Sequence, residues 1–185
     1  EYVIKDGSLR TGLMSATTIE LGGKKCILSI TRNITERKKA EEELRENQRK
    51  LAETNQLLKN ILDTVPSRIF WKDRNSILLG CNQSFAKDSG KDKPEDIIGL
   101  SDYEMGWKDQ ADLYRADDKN VMDSGIAKLN FEEPQTTPDG SLIWLKTNKV
   151  PLRGIDGNII GVLGTYEDIT AKKLSEQALK ESEER

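Results

Sequence analysis

Side chains along residues 141–150 fall into two interleaved sets at the period of a β-strand. Ile143, Leu145, Thr147 and Lys149 share one face, and Leu142, Trp144, Lys146, Asn148 and Val150 the other. Both sets mix apolar and polar residues, so the pattern leaves open which face turns inward. Upstream, residues 67–72 after Pro66 read as a short strand and Asp73-Arg74-Asn75-Ser76 as a turn. The unbroken apolar run Ile77-Leu78-Leu79-Gly80-Cys81 predicts a strand buried on both faces. Asn82 is placed to cap a short helix carrying Phe85 and Ala86 and ended by Gly90. Pro94-Glu95-Asp96 opens another helix, which Gly99 closes. Over residues 109–124, Ala111, Leu113, Tyr114, Val121 and Met122 share one broad face of a longer helix, stopped by Gly125. Strands are expected over 127–134, 141–152 and 158–169, with turns at Pro138-Asp139-Gly140 and 154–157. Pro151 calls for an edge or a bulge. Two strands, several small helices and three strands predict an α+β fold, a five-stranded antiparallel sheet with small helices on one face.

A different period governs the segment before this. From Glu36 no Gly or Pro occurs until Pro66, and Leu44, Leu51, Leu58 and Val65 fall seven apart. Ala40, Asn47, Thr54 and Ile61 fill the intervening heptad position. The pattern fits a parallel two-stranded coil with the leucines at one core position of the heptad and Asn47 at the other, as the polar residue that fixes register. A helix of this length spans roughly 42 Å, too long to lie on one small domain. The competing explanation is an amphipathic helix packed on its own domain. These residues therefore predict a homodimer joined through Leu44, Asn47, Leu51 and Leu58.

The chain also repeats itself. Asp6-Gly7-Ser8-Leu9 recurs as Asp139-Gly140-Ser141-Leu142, and Asn33-Ile34-Thr35 answers to Asp168-Ile169-Thr170. A strand, a Gly-containing turn and a second strand separate the landmarks each time, and a highly charged helical segment follows each triad. Thr35 and Thr170 are the natural N-caps of those helices. The expected division is the last strands of one domain (1–35), a helical linker (36–62), a complete second domain (63–170) and the start of a further helix (171–185).

Composition narrows the function classes. Hydrophobic residues make up 35% and charged residues 33% of the chain, which suits one compact domain with exposed helices. A net charge of −3 gives no nucleic-acid footprint, and no apolar run reaches the ~18 residues that span a bilayer. The two cysteines, Cys26 and Cys81, lack CxxC spacing and read as reduced thiols of a cytoplasmic protein. Histidine is absent, which removes His-ligated haem, His general bases and a phospho-accepting His. No nucleophile–base pair or phosphate loop occurs, so no catalytic residues and no metal ligands are assigned. The chain starts without Met, and the expectation is a piece of a longer protein.

The ordered set Trp71-Lys72-Asp73, Gly80-Cys81-Asn82-Gln83-Ser84-Phe85-Ala86, Ile97-Ile98-Gly99, Pro138-Asp139-Gly140 and Asp168-Ile169-Thr170 resembles the PAS family of sensory domains. Asp102-Tyr103-Glu104-Met105 and residues 111–118 look like a subgroup common in microbial multi-PAS sensor histidine kinases. The resemblance implies a pocket between helices and sheet for a small molecule or cofactor, whose identity it does not give. It also implies relay of a signal through flanking helices to an output domain in the same chain, here expected to be a histidine kinase. A flavin of the light-oxygen-voltage type does not fit, because Cys81 ends a strand instead of lying in an Asn-Cys-Arg-Phe run. Pocket candidates are Trp71, Tyr103, Trp107, Glu133 and Lys149. For the aromatic residues core packing is the competing explanation, and for the charged ones solvation. Lys149 stands out among strand residues, where it could pair with an acidic ligand or with Glu133. Asp168, Thr170 and Lys172 are the relay candidates, since the family's terminal Asp often pairs with a basic residue early in the next helix. The alternative to a sensor is a ligand-free PAS scaffold that dimerises and spaces other domains.

Overall fold

The computed structural model describes residues 1–183, in two compact units divided after Leu57. In the first, β1 (Tyr2–Val3) pairs with β2 (Leu9–Arg10), and β3 (Gly12–Leu21) with β4 (Lys24–Asn33) in an antiparallel hairpin registered Gly12↔Asn33 to Leu21↔Lys24. Nearly every side chain of this hairpin is exposed, including Leu13, Met14, Ile27 and Ile30. The helix α1 (Thr35–Thr64) follows without interruption and contains the division between the units.

The second unit holds β5 (Arg68–Asp73), β6 (Leu78–Cys81), α2 (Gln83–Asp88), α3 (Ala111–Ser124), β7 (Lys128–Thr136), β8 (Leu142–Arg153), β9 (Ile159–Asp168) and α4 (Thr170–Glu183). Its five strands form one antiparallel sheet in the order β6-β5-β9-β8-β7. This is the expected α+β architecture, with strand bounds within two residues of those read from the sequence. Asn82 caps α2 by accepting from the Phe85 amide at 3.1 Å, and Gly125 ends α3 at φ 68°, a left-handed conformation that glycine adopts without strain.

Several expectations need correction. The Pro94 segment is a single 3-10 turn (Pro94–Ile97), and two more such turns follow at Asp102–Glu104 and Lys108–Gln110. The longer helix begins at Ala111, two residues later than the periodicity suggests. β6 is buried on one face only, because Leu79 points to solvent at 44% exposure. Trp71 packs over Gly80 on the outer side; a methyl group at Gly80 would overlap that indole. Pro151 lies on a central strand, but β7 begins at Lys128, opposite Lys149, so β8 has a neighbour on one side only at the proline.

The inward face of β8 carries Leu145, Thr147 and Lys149, each almost fully buried. Beneath the helices Phe70, Leu78, Phe85, Ile97, Trp107 and Tyr166 pack together, and Val121, Met122 and Val162 form a second group under α3. Gly164 makes room for the Phe70 ring, which a side chain there would strike.

Candidate ligand-binding site

Four charged side chains meet between the sheet and the helices. Lys72 stands two residues after Phe70 on the inward face of β5, and Lys149 holds the matching place on β8. Asp102 opens the second 3-10 turn, which Ser101 and Glu104 fix as a capping box. Asp118 sits on the inward stripe of α3, four residues after Tyr114 and three before Val121. Lys72 Nζ lies 2.7 Å from Asp102 and 3.0 Å from Asp118, and Lys149 Nζ lies 2.6 Å from Asp118. Lys149 also donates to the Tyr114 carbonyl at 2.9 Å, and the Trp107 indole N–H donates to Asp102 at 3.0 Å. All four are at most 3% exposed along their side chains.

Burial alone would pull the Lys72 ammonium down, but Asp118 and Asp102 outweigh it and hold it above its usual value. Burial alone would push the Asp118 carboxyl up, and Lys72 with Lys149 outweighs that and holds it below the usual carboxylate range. The tetrad thus sets two lysines against two aspartates, whose formal charges sum to zero.

Beside the tetrad is a cavity of about 20 Å³, room for about one water molecule. Phe70, Phe85, Trp107, Tyr114 and Tyr166 supply aromatic wall, and Glu133, Gln135, Leu145 and Lys149 close the β7–β8 side. Phe85 packs edge-on against Trp107 and Tyr166. Both tyrosine hydroxyls have partners, the Pro134 carbonyl and Asp88. Glu133 Oε2, Gln135 Nε2 and Thr147 Oγ1 are buried and make no well-formed hydrogen bond among the described residues; Thr147 lies beside Glu133 and Gln135 beside Tyr166. Burial pushes the Glu133 carboxyl up, and Lys149 only partly counters it.

Of the pocket candidates, Trp107, Glu133 and Lys149 line this cavity. Trp71 lies on the opposite face of the sheet, over Gly80. Tyr103 is half exposed and donates to Asp112. Lys149 takes Asp118 as its ion-pair partner, beside the two options the sequence offers, an acidic ligand or Glu133. Lys72 and Asp118 were not singled out. Their signal is periodicity: two after Phe70 in a strand, and i+4 from Tyr114 in a helix. Cys81 is buried, with its thiol pushed up to about 12 by burial.

At the exit from the sheet, Asp168 accepts from the Thr170 amide at 2.8 Å, and Thr170 Oγ1 accepts from the Trp144 amide at 2.9 Å. Lys172 does not reach Asp168 but lies 3.8 Å from Glu176. The neighbouring Lys173 pairs instead with Glu132 at 2.6 Å and stacks on Trp144. The first hairpin is joined to α1 by the same bonds: Asn33 accepts from the Thr35 amide at 3.0 Å, and Thr35 Oγ1 accepts from the Thr11 amide at 2.8 Å. Asp6 and Asp139 likewise each accept from the amide two residues on, beside Gly7 and Gly140 at positive φ. The sequence repeat is thus a repeat of bonding geometry.

Comparison with known proteins bears on the fold. Residues 62–174 match the family described as the PAS fold. The chain belongs to the PAS family. Among curated PAS-containing relatives, the aerobic respiration control sensor protein ArcB of Escherichia coli (strain K12) is 25% identical over 122 residues, 66% of this chain and 15% of that protein. Sporulation kinase C of Bacillus subtilis (strain 168) is 25% identical over 153 residues, 82% of this chain and 35% of that one. The chain thus spans a minor part of either protein. Among solved structures, VqmA bound to DPO superposes with a TM-score of 0.55 at 26% identity, covering 59% of this chain and 55% of that one. No helix among the described residues is long and apolar enough to cross a membrane.

Proposed function

We propose that residues 63–170 are a non-catalytic sensory PAS domain that takes a small molecule into the cavity beside the Lys72–Asp102–Asp118–Lys149 tetrad. The observation that carries this reading is an aromatic-walled cavity with buried polar groups on Glu133, Gln135 and Thr147 that make no well-formed hydrogen bond. Such groups are rare in native cores because each forfeits hydrogen bonds made in water; a ligand that completes them gives them a purpose. The solved structure of VqmA bound to DPO lends support, since that chain, similar in fold, binds DPO.

The ligand would bias two arrangements of sheet and helices, and α4 would carry the bias outward through Asp168 and Thr170. Lys172 keeps only a local part in this relay, with Lys173 as the sheet-facing cation. Likeness to ArcB and Sporulation kinase C favours a histidine kinase as the output domain, in a cytoplasmic, homodimeric parent joined through α1. Residues 1–35 are read as the tail of a preceding PAS copy, on the strength of the shared hairpin–helix bonds.

A second reading is favoured by the small size of the cavity: a ligand-free scaffold that dimerises and spaces other domains. Native mass spectrometry of the purified chain separates them. Sensing predicts a retained small-molecule mass on the folded protein. Protein that is empty across independent preparations would favour the scaffold.

A further inference from the structure

We propose that β7 is a two-sided lever: α3 holds it from the inner face of the sheet, and its outer face grips α4 through Glu132, so that movement of β7 resets the tilt of α4. This rests on the reading of α4 as the output helix and adds a second, adjustable hold on it beside the Thr170 junction.

Neighbouring residues of a strand point to opposite faces of the sheet. Glu133 and Gln135 face the cavity, and Glu132 between Phe131 and Glu133 faces out, where it meets Lys173 at 2.6 Å. On the inner side the Tyr114 hydroxyl donates to the Pro134 carbonyl at 2.6 Å and ties β7 to α3. On the outer side Lys173 Nζ also lies 4.5 Å from the centre of the Trp144 ring, and the Trp144 amide donates to Thr170 Oγ1. An exposed ion pair alone holds little. This one shares its cation with an indole whose own backbone is bonded to the first residue of the same helix, so Lys173 has a prepared seat.

Of the strands that α4 is bonded to, β7 is the freest to move. It is an edge strand, paired with β8 alone. Pro134 has no N–H to give to the ladder, and the register shifts between Lys128 and Phe131, where Asn130 takes φ 54°. β8 and β9, by contrast, pair without interruption from Leu145↔Asp168 to Leu152↔Gly161. Thr170, bonded at the end of those two strands, fixes where α4 starts. Lys173 lies three residues on, about 4.5 Å along the helix axis, so a displacement of Glu132 turns α4 about Thr170. The Thr170 junction reports the central strands, and Lys173 reports the edge.

The test uses the whole chain with nothing added, followed through the Trp144 indole resonance and the amide resonances and order parameters of residues 171–178. Tyr114→Phe removes the inner bond and is expected to shift both the indole and the α4 amides. In Lys173→Met the α4 order parameters should fall from about 0.85 toward about 0.6. Adding Tyr114→Phe to that variant should move the α4 amides by less than about half as much as in the parent, because the connection is cut. Lys172→Met, whose partner is the local Glu176, should leave the Tyr114→Phe shift intact. The proposal is overturned by α4 amides that Tyr114→Phe does not move, by a shift of full size in the Lys173→Met background, or by an equal loss in Lys172→Met, which would mean that α4 is merely loosened. Sensing through Asp168 and Thr170 survives each of these results, and a chain found empty by native mass spectrometry leaves the lever standing.

Discussion

A buried ion tetrad is an expensive way to fill a core, because each charge gives up hydration that Coulomb attraction only just returns. Its members are therefore strongly interdependent. Asp118 serves both lysines, so Asp118→Ala leaves two ammonium groups with one carboxylate. We expect a loss of about 3–5 kcal/mol in urea unfolding. The two perturbed acids act with opposite signs on pH dependence. The Asp118 carboxyl is held below its ordinary 3.8 in the fold, so its stabilisation is present above 3.8 and lost as pH falls through the lower folded value. Glu133 is raised above 4.5, so the fold is penalised as pH rises from 4.5 through the higher folded value. Glu133→Gln should thus be more stable than the parent at neutral pH, with the difference vanishing below 4.5; urea midpoints across that range check it. At this scale the sequence was half legible. Lys149 showed itself as a charge on an alternating strand, and Glu133 as a candidate partner for it. Lys72 and Asp118 did not, since a charge at the rim of an apolar stripe usually marks where the stripe meets water. Trp71 misled because a strand has two faces and a tryptophan suits either.

Among the elements, α1 presents Leu44, Leu51 and Leu58 at 54–62% exposure in every case. Their spacing of seven and the polar Asn47 between them suit a parallel coil with a fixed register. Asn47→Leu should give a more stable but less uniform assembly, with species larger than dimers in sedimentation; a monomer for both parent and variant would exclude the dimer. Strands and long helices were legible because alternation and heptads are repeated many times over. The 3-10 turns between α2 and α3 were not, since a turn of three or four residues has no period to read. Yet these turns deliver Asp102 and Trp107, so the hardest part of the chain to foresee supplies one wall of the cavity.

For the molecule as a whole, the two units differ sharply in what they bury. The β3–β4 hairpin has no core beneath it among the described residues, and β8 and β9 rest on one. An isolated hairpin is marginal in water, so amide exchange in Gly12–Leu21 and Lys24–Asn33 should exceed that in β8 and β9 by at least about 100-fold in monomeric protein; comparable protection would mean the hairpin is packed on something. The internal repeat was visible in the letters Asp-Gly-Ser-Leu, but its meaning needed the bonds. At both hairpin–helix joints a threonine hydroxyl takes an amide from the first strand while its own amide is held two residues back. A helix begun in this way has no freedom to spin about its axis. One residue inserted after Thr170 would rotate everything carried on α4 by ~100°, whereas seven would nearly restore the original heading. Connector length in such a chain is thus a compass bearing as much as a distance, and joining segments at Asn33 or Asp168 preserves it.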